Sequence, residues 1–228
     1  MSQVAVVIRL ALRELWISFR LLFLLAAYVA AGTVVALLPA PVTTTLVRLA
    51  IGLAAAGIAG AAVAAWSMSR ERTLGRAGWL TTHSVPRATI VLGWFVPLAL
   101  VSALGLLAAG VLGWLAIVTL FERPDGLVFG ATVASVATFT LALIAIGLLL
   151  GAILGPSPAA AATAVICVLL VAVPWMIVPR VAVPIEALAR LVELPAPLSV
   201  AVQGAGASLA AAGVLLVGAR FALERVDL

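Results

Sequence analysis

Few side chains in this sequence are able to do chemistry. Its 228 residues hold 13 basic and 8 acidic groups, and all 13 are arginine. Without lysine there is no P-loop amine to reach nucleotide phosphates and no Schiff-base nucleophile. The single cysteine, Cys167, and the single histidine, His83, exclude a Cys/His metal site and an internal disulfide. A serine hydrolase needs a base beside its nucleophile at the same depth, and His83 falls in a polar connection. The nearest acidic pair, Glu122 and Asp125, flanks Arg123-Pro124 and reads as a tight solvated turn. What remains is recognition through charge. Three groups stand out: Arg70, Glu71, Arg72, Gly75, Arg76, Trp79 and Leu80 in one connection; Arg9, Arg13, Trp16 and Arg20 near the start; and Glu186 with Arg190. Any ATP-driven work must use nucleotide, with its magnesium, bound by another chain, and no cofactor is expected on this one.

The elements that position these groups follow from composition. Apolar residues make up 66% of the chain and charged ones 9%, with a mean hydropathy of +1.35; soluble domains are about 45–50% apolar and 25% charged. Such a surplus belongs in a bilayer. Apolar runs, free of charge except for Arg220 near the end of the last, predict six spans: Leu21–Leu38, Leu49–Met68, Ile90–Leu120, Leu127–Leu154, Ala159–Val178 and Leu198–Leu223. The run after Arg20 is longer than a signal-peptide core. With an even number of spans, nine arginines (9, 13, 20, 70, 72, 76, 87, 220 and 225) share one face and four (48, 123, 180 and 190) the other. The positive-inside rule makes the first face cytoplasmic, so both termini are expected inside a multi-pass cytoplasmic membrane protein. Topology explains the pI near 11.3 better than a nucleic-acid groove does, and no nucleic-acid partner is expected. Trp16, Trp66, Trp79 and Trp94 are expected at the inner interface, Trp114 and Trp175 at the outer.

Three segments carry more. Over residues 4–20, Arg9, Arg13 and Arg20 form a helical stripe opposite Val4, Ile8, Ala11, Leu12, Leu15 and Phe19. A helix so patterned lies in the interface, with its apolar side in the acyl region and its arginines at lipid headgroups; plain positive-inside charge is the competing reading. Residues 70–84 are too polar to span and too apolar for a free loop, and a short helix around Trp79 and Leu80 there fits a soluble partner's cleft. The competing reading is an ordinary charged loop. On the outer side Pro184 can open a short helix through Leu194 in which Glu186 and Arg190 pair at i, i+4; an amphipathic surface turn is the alternative. Apart from Arg220 near the end of the sixth, no assigned span carries Asp, Glu, Lys, Arg or His, which disfavours proton or ion coupling and suits apolar cargo. The hydroxyls Thr33, Thr132, Ser135, Thr138, Thr140 and Thr163 read first as helix-packing groups, and Gly105…Ala109…Gly113 and Gly147…Gly151…Gly155 as close helix contacts.

The stretch Glu71-Arg72…Gly75…Leu80-Thr81-Thr82…Val85-Pro86-Arg87-Ala88-Thr89-Ile90-Val91-Leu92-Gly93 resembles the coupling region of type-2 ABC exporter permeases. The order of elements resembles that family too. Arg76, Gly78, Ser84 and Trp94 depart from its usual residues and mark a divergent member. The resemblance implies an all-α membrane protein: six transmembrane helices, an N-terminal interfacial helix, a cytoplasmic coupling helix at 70–84 and a short outer re-entrant helix at 184–194 with Glu186 and Arg190 at an external gate. It also implies two copies of an ATP-binding subunit gripping Arg70–Ser84, with a second permease protomer, identical or related, completing the pathway. A non-transporting scaffold or sensor subunit that anchors a partner through the same connection is the alternative.

Overall fold

A computed structural model describes residues 3–37, 42–74, 85–120, 123–154, 156–172 and 198–225. Gly75, Arg76, Trp79 and Leu80, the rest of the expected coupling helix, and the 184–194 segment with Glu186 and Arg190 lie outside them. Among the described residues there is no strand. Seven helices account for nearly all of them: α1 (Gln3–Ile17), α2 (Arg20–Leu37), α3 (Val42–Thr73), α4 (Arg87–Leu120), α5 (Gly126–Ile153), α6 (Pro156–Ala172) and α7 (Leu198–Arg225). Four segments, Arg48–Thr73, Arg87–Leu120, Gly126–Ile153 and Val202–Arg225, are long and apolar enough to cross a membrane. The pair α1–α2, bent by 72°, brings the number to five if counted as one span. The described part of the chain is therefore all-helical, and its apolar helices are those of a multi-pass membrane protein.

Helix α5 is the centre of the bundle, packed against α3 on one side and α7 on the other, with α2 lying on α4. Small residues set these distances. A Cβ on Gly147 would collide with the Ala61 carbonyl, and one on Gly151 with the Ala65 carbonyl, so α3 and α5 touch backbone to backbone. Across the α2–α4 contact, a Cβ on Gly32 would sit 2.7 Å from the Ala109 carbonyl. Gly105, Ala109 and Gly113 of one expected small-residue series and Gly147 and Gly151 of the other thus lie at helix contacts, as packing in a membrane favours; Gly155 lies outside the described residues. Leu49, Leu53, Leu98, Leu143, Ile144 and Leu148 fill the interior, while Leu100, Leu104, Leu107 and Leu115 of α4 face outward.

The helices run past their apolar cores. Helix α3 ends at Thr73 and not at Met68, because Arg70-Glu71-Arg72 are good helix formers and no glycine intervenes before Gly75. These three charges are its last turn, and do not begin a separate helix. Helix α4 has 34 residues and stays helical through the buried Pro97, a length of about 51 Å that exceeds the hydrocarbon thickness. Asp125 caps α5: the Leu127 N–H donates to its Oδ1 at 2.8 Å.

The first helix ends three residues earlier than the sequence pattern implies. Ser18 Oγ donates to the Glu14 carbonyl at 2.7 Å, and the Phe19 N–H returns to the Trp16 carbonyl at 3.1 Å. Phe19 takes φ +59°, the left-handed conformation that ends helices at this position. Arg20 therefore opens α2 and leaves the stripe of Arg9 and Arg13. On α1, Val7, Ala11 and Leu15 are buried against protein, Val7 filling the space left by Gly93, while Val4, Ile8 and Leu12 are half-buried and Phe19 is exposed. For a side chain in the left-handed region the penalty is about 1–2 kcal/mol. Phe19→Gly is expected to keep or raise the thermal midpoint in detergent, and Phe19→Val to lower it. Equal midpoints would argue against a strained elbow.

Candidate functional site

The charged residues converge at one end of the bundle, where the α1–α2 elbow, the last turn of α3, the start of α4 and the end of α5 meet. Arg72 reaches from α3 to α5, its Nη1 donating to the Ala152 carbonyl at 2.6 Å. One turn back, Ser69 Oγ donates to the Leu154 carbonyl at 3.0 Å. The final carbonyls of a helix have no intrahelical partner and carry its negative dipole end. A guanidinium and a hydroxyl from α3 satisfy two of them at once. The Nε of Arg72 is buried and has no hydrogen-bond partner among the described residues, as is the Nε of Arg87 at the head of α4.

Arg20 ties the elbow to the same turn of α3. Its Nη1 donates to Ser67 Oγ at 2.9 Å, and its guanidinium lies 4.9 Å from the centre of the Trp66 ring, a stacked cation–π contact. Glu14 and Arg70 are its charged neighbours. Between elbow and bundle opens a cavity of about 680 Å³, walled by Val7, Leu10, Ile17, Ile90 and Trp94 and edged by Arg13, Glu14, Arg70 and Glu71. Glu71 is only 5% exposed. It lines this cavity with Arg13. Trp94, at 3% exposure, belongs to the core and not to an interfacial belt, because α1 covers it. Trp16 and Trp66 do remain exposed.

Of the residues singled out in sequence, Arg70, Glu71, Arg72, Arg13 and Arg20 are thus brought to one place, with Arg9 and Trp16 exposed on the outer side of α1. Ser67 and Ser69 were not foreseen. Two serines two residues apart at the end of an apolar run are a weak signal, and the carbonyl that Ser69 bonds has no side-chain signature at all. Among the described residues no three His, Cys, Asp or Glu side chains gather as metal ligands. A second hollow, about 580 Å³ and almost wholly apolar, runs between α4 and α5 past Leu106, Gly110, Trp114, Phe129, Gly130 and Val133; Trp114 meets Phe129 edge-on at 5.1 Å.

Searches against protein-family models and against curated proteins found no match to this chain. The reading of its function rests on the site itself.

Proposed function

We propose that this chain is the membrane-spanning permease subunit of an ATP-driven ABC exporter. Two copies of a separate ATP-binding subunit, holding ATP and Mg²⁺, drive it, and a second permease protomer, identical or related, completes the pathway. The nine-arginine face lies in the cytoplasm and the segment after Thr73 is the ATPase's grip. One observation supports this reading above the rest: the turn of α3 that enters that segment is bonded through Arg72 and Ser69 to the end of α5, and through Ser67 to Arg20 at the elbow. A push on the segment is thereby delivered to α2, α3 and α5 together. Side-chain contacts of this kind, made by rigid helices, are what passes a displacement between sites. The apolar hollow between α4 and α5 fits a hydrophobic or amphipathic cargo that needs no ionisable guide.

The test is co-expression with a candidate ABC ATP-binding subunit, followed by reconstitution in vesicles. The complex is expected to hydrolyse ATP and move a lipophilic dye, and Gly75→Trp, placed in the grip, is expected to cut both at least tenfold while the complex still forms. A complex that assembles but shows unchanged hydrolysis and no movement favours the scaffold reading. An ATPase that fails to bind the wild-type chain removes the proposal.

A further inference from the structure

Most hydroxyls on these helices are satisfied within their own helix. Thr33, Thr132, Thr163 and Ser208 each donate to the carbonyl four residues back, at 2.8–2.9 Å. Tyr28 of α2, Ser102 of α4 and Thr140 of α5 do not. Their relative exposures are 0%, 1% and 0%, and the oxygen of each lacks a hydrogen-bond partner among the described residues. The Tyr28 hydroxyl has Ser102 and Thr140 as its polar neighbours, yet none of the three closes a bond of acceptable geometry with another. A buried polar atom left this way is costly, and the rule in native proteins is that something satisfies it.

The fourth wall, α3, contributes space in place of a side chain. A Cβ on Gly60 would stand 3.6 Å from Ser102 Oγ, 3.7 Å from the Tyr28 hydroxyl and 3.9 Å from Ile144 Cγ1, all ordinary contact distances. The point is thus roomy enough for a methyl group, and it looks onto two of the unpartnered oxygens. One turn away, a Cβ on Gly57 would come to 2.9 Å from Thr140 Oγ1. The tyrosine cannot swing across to close the gap itself, because its ring is wedged over Gly105, where a Cβ would lie 2.6 Å from Cδ2.

We propose that Tyr28, Ser102 and Thr140 form a buried binding site for one water molecule, seated beside Gly60. A water has two donors and two acceptor sites, enough to join all three hydroxyls, and buried waters typically make about three such bonds. The site makes a polar joint between α2, α4 and α5 in the shelter of α3, and stands independently of the transport reading.

Tyr28 is the only tyrosine in the chain, so the tyrosine Raman doublet, whose intensity ratio reports phenol hydrogen bonding, comes from this residue alone. In the full-length protein in lipid, wild type is expected to show a hydrogen-bonded phenol. Gly60→Ala, whose methyl takes the water's place at tolerable distances, is expected to shift the ratio to that of a free hydroxyl with helicity unchanged. Ser102→Ala and Thr140→Val singly are expected to keep a bonded phenol, since the water retains two partners, and these two variants decide the matter if Gly60→Ala does not fold. A free phenol in wild type overturns the site. So does a bonded phenol that survives Gly60→Ala, or one lost with Ser102 or Thr140 alone, because either result means a direct bond between side chains.

Discussion

Replacing Gly151 by alanine is expected to destabilise the folded bundle severely, and replacing Gly147 and Gly151 together to leave no folded protein to purify. The reason is what the new methyl meets. At Gly151 it meets the Ala65 carbonyl and at Gly147 the Ala61 carbonyl, and neither is the end of a side chain that can rotate away. Helix α3 as a whole must retreat from α5, loosening Leu143, Ile144 and Leu148, which are fully buried around this contact. Over-packing a close contact typically costs 1–3 kcal/mol, and backbone against backbone puts each glycine at or above the upper end. Two such costs approach the roughly 5–15 kcal/mol that holds a domain folded. Gly130→Ala is the control. Nothing among the described residues lies within 4 Å of its Cβ position, and in mid-helix alanine outranks glycine by about 1 kcal/mol, so this variant is expected to match wild type or exceed it. Thermal midpoints in detergent, read by loss of helicity, decide the comparison. Equal midpoints for Gly151→Ala and Gly130→Ala would mean that α3 and α5 are not in backbone contact.

The same contact shows what a sequence makes visible. Small residues at every fourth position can be read without coordinates, and so can the charge-free runs, because both are periodic signals of a one-dimensional kind. Helix ends are harder. An apolar run stops at its first charge, whereas the backbone continues through Arg70-Glu71-Arg72 until something breaks it, so the turn that carries the site was assigned to the wrong element. Position relative to the lipid is no better a guide when a neighbour intervenes: Trp94 has the place of an interfacial ring but is covered by α1. Phe19 carries no mark of its left-handed backbone, since it is neither glycine nor asparagine. Ser102 lies alone in a long apolar run. Only its meeting with Tyr28 and Thr140, 74 and 38 residues away in sequence, makes it more than a helix-packing serine.

Arg72→Met is expected to have the largest effect of any change at the charged end, and the effect divides in two. Methionine keeps the apolar stem but removes the donor to the Ala152 carbonyl, returning that carbonyl and the dipole end of α5 to an unpaired state. A hydrogen bond from a charged group contributes about 1.5–3 kcal/mol when well buried; Arg72 is half-buried, which places the loss near the lower figure. Arg70 is one turn's edge away but exposed, so Arg70→Met is expected to change stability by less than about 0.5 kcal/mol. Reversible unfolding in mixed micelles measures both. The functional half rests on the transport proposal. If Arg72 holds α3 to α5 while the ATPase pushes, its loss lets the segment move without the bundle, and ATP hydrolysis should persist while transport falls about tenfold. Arg72→Lys separates the halves, since an ammonium can still donate to one carbonyl but loses the planar fork; partial recovery of both stability and transport is the expected outcome. A variant Arg72→Met that transports at the wild-type rate would show that force, if any passes here, takes another route than the α3–α5 bond.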